Sequence, residues 1–261
     1  MARPVALVTG ASAGIGSAFA RGLAARGFDL VVVARDTARL EALAKELEAA
    51  HGGSVEVLGA DLSDAAQLRV VEARLGDADG PIEVVVNNAG FGTMGHFKDL
   101  PVDREEQEIA LNVVALTRLT HAALPNMLER RSGGVINVAS LAAFQPTPGN
   151  ATYGATKAFV FSLSQGIHEE LRGTGVNCMV LCPGFTRTEF QQRAGIDSTD
   201  IPDFLWQEAD TVVDFAMKAF DRGKAVCVPG ALNRATAGFS ATAPSGVTRR
   251  IAGVIVKRAE K

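Results

Sequence analysis

Tyr153 is the one tyrosine in 261 residues, and Lys157 follows it by four positions. On a helix that spacing puts both side chains on one face, with Cβ atoms roughly 5–6 Å apart. A phenol beside an ammonium can hand a proton to a developing alkoxide or take one from an alcohol, which is general acid–base chemistry at oxygen. A free tyrosine titrates near 10, so work as a base near neutrality requires a fall of about three units, or roughly 4 kcal/mol. One ammonium ~5 Å away, at an effective dielectric of ~20, supplies about 3 kcal/mol before any desolvation. Lys157 is nearly sufficient on this arithmetic. A surface tyrosine beside an unrelated lysine is also a common arrangement, and the pair alone does not choose.

A second chemical candidate is Ser140, in Val138-Ala139-Ser140 at the end of an apolar run. If that run is a strand of an open α/β sheet, Ser140 stands at the carboxyl edge where such sheets bind ligands. No Gly-x-Ser-x-Gly elbow surrounds it, which argues against a hydrolase. The four histidines (His51, His96, His121, His168) have no Cys or carboxylate at ligand spacing, so no metal site is expected. Cys178 and Cys182, on an apolar run, read as packing residues.

An anion site is the third feature. Thr9-Gly10-Ala11-Ser12-Ala13-Gly14-Ile15-Gly16 follows the first apolar run and opens a helix at Ser17-Ala18-Phe19. Unpaired backbone N–H groups and the helix dipole favour negative charge at such a junction. Glycines at 10, 14 and 16 let the backbone approach a pyrophosphate closely. A glycine cluster alone is also a tight turn; its place at the first strand–helix junction favours dinucleotide binding.

These groups must be positioned by the elements around them. Short apolar runs at Val5–Val8, Leu30–Val33, Val55–Leu58, Val84–Val86, Val135–Val138, Cys178–Leu181 and Ala225–Val228 read as strands buried on both faces. Helical segments alternate with them, as in Thr37–Ala50, where Leu40, Leu43, Ala44 and Leu47 recur at helical spacing. The expected fold is α/β, a Rossmann-like, doubly wound parallel sheet of seven strands with helices on both faces. No Pro/Ser-rich linker interrupts it, so residues 1–261 are expected to form a single domain. The segment from about 185 to 206 lacks a strand pattern and reads as a lid. From about 230 to 261 runs a C-terminal extension, with Val247, Ile251, Val254 and Ile255 on one helix face and Arg249, Arg250, Lys257 and Arg258 around it. Docking on the body or on a second subunit is the plain reading; a peripheral membrane contact is the alternative.

Composition narrows the class. Hydrophobic content of 47% with 21% charged residues suits a compact globule. A net charge of −3 leaves no electrostatic footprint for nucleic acid. Three cysteines leave one unpaired, which suits a reducing compartment. Val5–Val8 is too short for a signal-peptide core, and no apolar stretch approaches the ~20 residues of a membrane span. A cytoplasmic location is expected.

The TGxxxGxG spacing at Thr9–Gly16 resembles the short-chain dehydrogenase/reductase family in its single-domain form. The resemblance recurs in order along nearly the whole chain. It takes in Asp61-Leu62, Asn87-Asn88-Ala89-Gly90, Asn112, Ser140, Tyr153-Gly-Ala-Thr-Lys157, and Pro183-Gly184 with Thr188. It implies an enzyme that interconverts a carbonyl and an alcohol by hydride transfer, with Asn112, Ser140, Tyr153 and Lys157 as the catalytic set. By the same resemblance Ser140 bonds the substrate oxygen, Lys157 also holds the nicotinamide ribose, and Asn112 anchors a proton-relaying water. Gly10, Ser12, Gly14, Ile15 and Gly16 would take the pyrophosphate, and Asp61 and Leu62 would flank adenine. Asn88, Ala89 and Gly90 would lie by the ribose, and Pro183, Gly184, Thr186 and Thr188 would hold the carboxamide end.

In members that prefer NAD an acidic residue ends the second strand; here Val33-Ala34-Arg35-Asp36 puts Arg35 at or beside that position. Its guanidinium could pair with a 2′-phosphate, so NADP(H) is expected over NAD(H). The alternative is a solvated Arg35 with Asp36 reading the ribose. Pocket walls are expected from Leu141, Phe144, Pro146, Met94, Phe97, Phe185, Phe190, Phe204, Leu205 and Trp206, which favours a small hydrophobic carbonyl or alcohol. An enoyl reductase or epimerase on the same cofactor is one alternative, although enoyl reductases of the superfamily space Tyr and Lys more widely. A non-catalytic NADP(H)-binding module is the other. Relatives pair the helices carrying Asn112 and Tyr153, so a homodimer or homotetramer is expected.

Overall fold

The computed structural model describes residues 2–195, 201–244, 246 and 249–250. The apolar runs form β1 (Val5–Thr9), β2 (Asp29–Ala34), β3 (Val55–Gly59), β4 (Ile82–Asn87), β5 (Gly134–Val138), β6 (Asn177–Leu181) and β7 (Val226–Cys227). All pair in parallel, in the order β3-β2-β1-β4-β5-β6-β7. Helices α1 (Gly14–Ala25), α2 (Thr37–His51), α3 (Ala65–Leu75), α4 (Val102–Ile109), α5 (Leu116–Arg130), α6 (Ala151–Glu170), α7 (Phe190–Arg193), α8 (Ala209–Phe220) and α9 (Ala231–Thr242) accompany them.

Strand alternation explains the layering. Successive side chains point to opposite faces, so Leu30 and Val32 meet Phe19, Leu23, Leu40 and Val212 of α1, α2 and α8. Val31 and Val33 meet Leu68, Val71, Leu119 and Met127 of α3 and α5 on the other side. A strand covered twice has no polar face, hence the unbroken Val31-Val32-Val33. Phe19 is wholly buried, worth about 1.5–3 kcal/mol against exposure. α2 starts on Asp36, whose carboxylate accepts from the Arg39 amide, and stops at Gly52, left-handed at φ 64°.

The strand order reverses at β1. Its neighbours are β2 and β4, so the chain leaves on one side and resumes on the other. The two halves diverge at that point, opening a crevice beyond the carboxyl ends of β1 and β4. Between α4 and α5 the helix widens into a π-turn at Ala110–Ala115. The segment after β6 holds the short α7 and a 3₁₀ turn at Asp203–Leu205, and its two ends are paired by a parallel bridge between Thr186 and Gln207. Val247, Ile251, Val254, Ile255, Lys257 and Arg258 lie outside the described residues, as do Asp197, Ser198 and Asp200 of the 185–206 segment. Among the described residues no helix is long and apolar enough to cross a membrane.

Candidate functional site

The glycine turn lies at the crevice. Ala13, at the N-cap of α1, has no side chain to satisfy the first-turn N–H groups. Gly16 faces the Gly10 carbonyl so closely that a Cβ there would collide with it and with the Asn88 amide. Gly14 adopts φ 57°, and a Cβ on it would meet Thr188 at 2.9 Å. The turn is thus a cradle of bare backbone, the shape a pyrophosphate requires. Asn88 locks it from below, donating to the carbonyls of Thr9 (3.0 Å) and Gly10 (3.3 Å), while Thr9 Oγ1 accepts from the amides of Asn88 and Ala89. Leu62 is buried against β2 and β4.

At the end of β2 the two adjacent residues behave differently. Asp36 caps α2 and lies 3.4 Å from Arg39 Nε. Arg35 is exposed, its guanidinium 3.7 Å from Asp61 Oδ2. Burial raises the Asp61 carboxyl, but hydrogen bonds from the Ser63 hydroxyl and amide, with Arg35 nearby, hold it below the ordinary aspartate value.

The tyrosine–lysine pair sits on the first two turns of α6. Lys157 is almost wholly buried and donates to the Val138 carbonyl at the end of β5 (2.9 Å), with its ammonium 5.5 Å from the Tyr153 ring centre. Ser140 caps the 3₁₀ turn Leu141–Phe144, accepting from the Ala142 amide, and its hydroxyl lies close enough to the Tyr153 phenol to favour its ionisation. Asn112, wholly buried in the π-turn, donates to the Phe91 carbonyl (2.8 Å) and to Thr156 Oγ1 (3.1 Å), and accepts from the Phe91 amide (3.1 Å). Thr156 passes the contact on to the Tyr153 carbonyl (2.8 Å). At Gly90 a Cβ would lie 2.8 Å from Asn112 Oδ1 and 3.5 Å from Lys157 Nζ, so these two groups converge there.

The electrostatics run against the expectation that Lys157 brings Tyr153 toward neutrality. Burial pushes the Tyr153 phenol up to about 12; the Ser140 hydroxyl opposes this and the Glu108 carboxyl adds to it. Burial brings Lys157 down to about 8, against the pull of Glu108. Desolvation of the phenol outweighs the attraction that an ammonium ~5 Å away offers its ionised form.

At the far end of the crevice Pro183 accepts from the Leu141 amide (2.9 Å), and Gly184 presses on Asn233 of α9. Asn233 donates to Gln207 Oε1 and to the Pro229 carbonyl, both at 2.8 Å. Thr186 is buried and bonds the Gly184 carbonyl, while Gln191 of α7 donates to the Thr186 carbonyl. Phe190 tilts over Tyr153 at 5.4 Å and Phe185 packs on Trp206 at 5.7 Å. Phe144, expected as a pocket wall, is half-buried and packs edge-on against Phe161 at 4.7 Å. With Pro146 it lines a groove of about 640 Å³ against Ala155 and Ala158, another face of α6. Phe97 and Phe204 are mostly exposed.

Sequence reasoning missed Asn233 and a pair of buried carboxylates, Glu105 and Glu108 of α4. Both glutamates lie in a segment that reads as a solvated helix face, VDREEQEI, and no local signal marks them. Among the described residues no group of three or more His, Cys, Asp and Glu is placed to hold a metal. Cys178, Cys182 and Cys227 are buried free thiols, pushed up by burial.

A parallel sheet with a glycine cradle and a tyrosine–lysine pair at its switch point, the lysine buried, is a Rossmann-like enzyme core. The family model for short chain dehydrogenases matches residues 4–198. The chain belongs to that family and is an oxidoreductase acting on CH–OH groups. A short-chain dehydrogenase from Sphingobium yanoikuyae, solved in complex with NADPH, is 42% identical with TM-score 0.83, over 92% of this chain and 96% of that one. The bulky-bulky ketone specific alcohol dehydrogenase from Comamonas testosteroni is 34% identical with TM-score 0.79, over 92% and 95%. An uncharacterized oxidoreductase of Myxococcus xanthus is 36% identical over 226 residues, 86% of this chain and 87% of its own.

Proposed function

We propose that this chain interconverts a bulky apolar ketone or aldehyde and its alcohol, with NADP(H) as hydride carrier and Tyr153 as acid/base. The observation that carries the reading is the convergence of Tyr153, Ser140, Lys157 and Asn112 beside one glycine cradle. Gly10, Ser12, Gly14, Ile15 and Gly16 would hold the pyrophosphate. Asp61 and Leu62 would flank adenine, and Asn88, Ala89 and Gly90 the ribose. Pro183, Gly184, Thr186 and Thr188 would orient the carboxamide end. NADP(H), when bound, supplies the hydride, and its oxidised ring a positive charge that favours the phenolate.

In reduction Tyr153 delivers its proton to the carbonyl oxygen as negative charge develops there. Ser140 donates a hydrogen bond to the same oxygen, where a donor lowers the barrier most. Lys157, 5.5 Å from the Tyr153 ring centre, would hold the ribose hydroxyls, and Asn112 would anchor the water that refills the proton. Arg35 supports NADP(H): Asp36 is engaged as a helix cap, which leaves the exposed guanidinium, loosely paired with Asp61, as the group that would meet a 2′-phosphate. The NADPH-bound Sphingobium relative supports the same choice. Phe190, Phe185 and Trp206 offer apolar surface, the Arg187 guanidinium over the Trp206 ring being paired with Asp203 and Glu208, in keeping with the bulky-ketone Comamonas relative.

The reading extends to the whole chain as one domain with a lid over about 185–206 and a C-terminal extension from about 230. It includes a homodimer or homotetramer in the cytoplasm, where three buried free thiols are at home. The test is NADPH oxidation against a panel of bulky ketones, aldehydes and enoyl thioesters. Turnover of ketones or aldehydes is expected; turnover of enoyl thioesters alone would replace this reading with an enoyl reductase.

A further inference from the structure

Glu105 and Glu108 are one helical turn apart on α4, 5% and 0% exposed. Both reach the same hydroxyl: Thr93 Oγ1 lies 2.6 Å from Glu105 Oε1 and 3.1 Å from Glu108 Oε2. Glu105 also accepts from the hydroxyl of Thr152, the residue before Tyr153. Thr93 follows Gly92, where a Cβ would stand 3.0 Å from Tyr153 Cδ2. The two carboxyl groups therefore tie α4 to both supports of the Tyr153 ring, the Gly90–Gly95 loop and the first turn of α6.

Counting hydrogens decides how this cluster is charged. A hydroxyl carries one hydrogen. Thr93 can give it to one carboxyl alone, and the other must donate a proton of its own; Glu105, whose second oxygen accepts from Thr152, is the better placed to stay ionised. The 3.1 Å contact to Glu108 is then a hydrogen bond only if Glu108 carries a proton and donates it. Two carboxylates around one hydroxyl, away from water, would otherwise repel. Glu108 Oε1 is buried with no hydrogen-bond partner, which a neutral acid tolerates far better than an anion.

We propose that Glu105 and Glu108 are positioning residues for Tyr153 which share one proton, held on Glu108. The proposal rests on Tyr153 being the acid/base. The groups that act on Glu108 are Thr93 of the loop, Glu105 of its own helix and Lys157 of α6; Arg104, also on α4, is turned over the Phe91 ring. Burial, with Glu105 adding and Thr93 and Lys157 opposing, raises the Glu108 carboxyl to about 7. Once ionised, Glu108 opposes a phenolate at Tyr153 and so delays its deprotonation.

Three measurements test this. Infrared spectra of the chain without substrate should show a protonated-carboxyl C=O band, shifted in D2O, that is missing from Glu108→Gln. In alcohol oxidation the rising limb of the kcat profile should move to lower pH in Glu108→Gln, because no anion opposes the phenolate. Thr152→Val should lower kcat by about tenfold with the KM for NADPH changed less than about twofold, the mark of lost orientation. Absence of the band overturns the shared proton; superimposable limbs overturn the positioning role. If the wild-type chain turns over no carbonyl or alcohol, the parent reading fails and the positioning role with it. The infrared band still decides the proton, and thermal unfolding of each variant shows whether it is folded.

Discussion

The Lys157 ammonium lies 5.5 Å from the centre of the Tyr153 ring and bonds the Val138 carbonyl. The phenol is held at about 12 and the ammonium at about 8. At neutral pH Tyr153 keeps its proton, which is the state reduction uses. Oxidation needs the phenolate. The rate of alcohol oxidation is therefore expected to climb with pH from 7 to 10, measured as initial NADPH formation with a substrate alcohol. A flat profile would show that proton removal at Tyr153 does not limit the step.

Tyr153→Phe removes the transferable proton and leaves the ring that packs under Phe190. Turnover is expected to fall by about 10²–10⁴-fold. NADPH binding, followed by fluorescence titration, should be unchanged. Retention of more than a few per cent of kcat would remove Tyr153 from the mechanism.

Arg35 stands at the end of β2 with Asp61 as its neighbour. A guanidinium–phosphate pair is worth about 1.5–3 kcal/mol, so Arg35→Ala is expected to lower kcat/KM for NADPH by roughly 10- to 100-fold. The value for NADH should stay within about threefold, since the 2′-hydroxyl makes no such pair. A wild-type chain that works better with NADH than with NADPH would refute the cofactor assignment.

Gly16 leaves no room for a Cβ between the Gly10 carbonyl and the Asn88 amide. Gly16→Val must push the turn open or block the phosphate approach. Loss of measurable NADPH binding is expected, read by calorimetry, together with a lower Tm because the β1–α1 packing is strained.

Glu108 also sets a pH dependence of stability. Its folded value of about 7 lies above the usual 4.5, so the folded state holds the proton more tightly than the unfolded chain does. That contribution is full below 4.5 and is lost as pH rises through about 7. Glu108→Gln cannot lose it. The Tm of the variant relative to wild type is expected to rise between pH 5 and pH 8; a constant difference would show that Glu108 does not titrate in this window.

Seven strands and their parallel winding were legible because each rests on a local signal, an apolar run bounded by turns. Every expected run overlaps an observed strand, and only Ala225 and Val228 fall outside β7. The cradle and the i, i+4 spacing of Tyr153 and Lys157 are local too. What sequence could not carry is whatever depends on distant residues meeting. Glu105 and Glu108 look like solvent-facing charges until α6 covers them. Asn233 looks like an ordinary helix residue until Gly184 presses on it. The π-turn that aims Asn112 at Phe91 has no periodic trace.

Sequence alone determined which groups can exchange a proton and which turn can cradle an anion, because type and short-range spacing suffice for that. Tertiary structure decided how strongly Tyr153 and Lys157 hold their protons. Desolvation is a property of everything packed around a group, and here it outweighs the one charge that the sequence places beside the phenol.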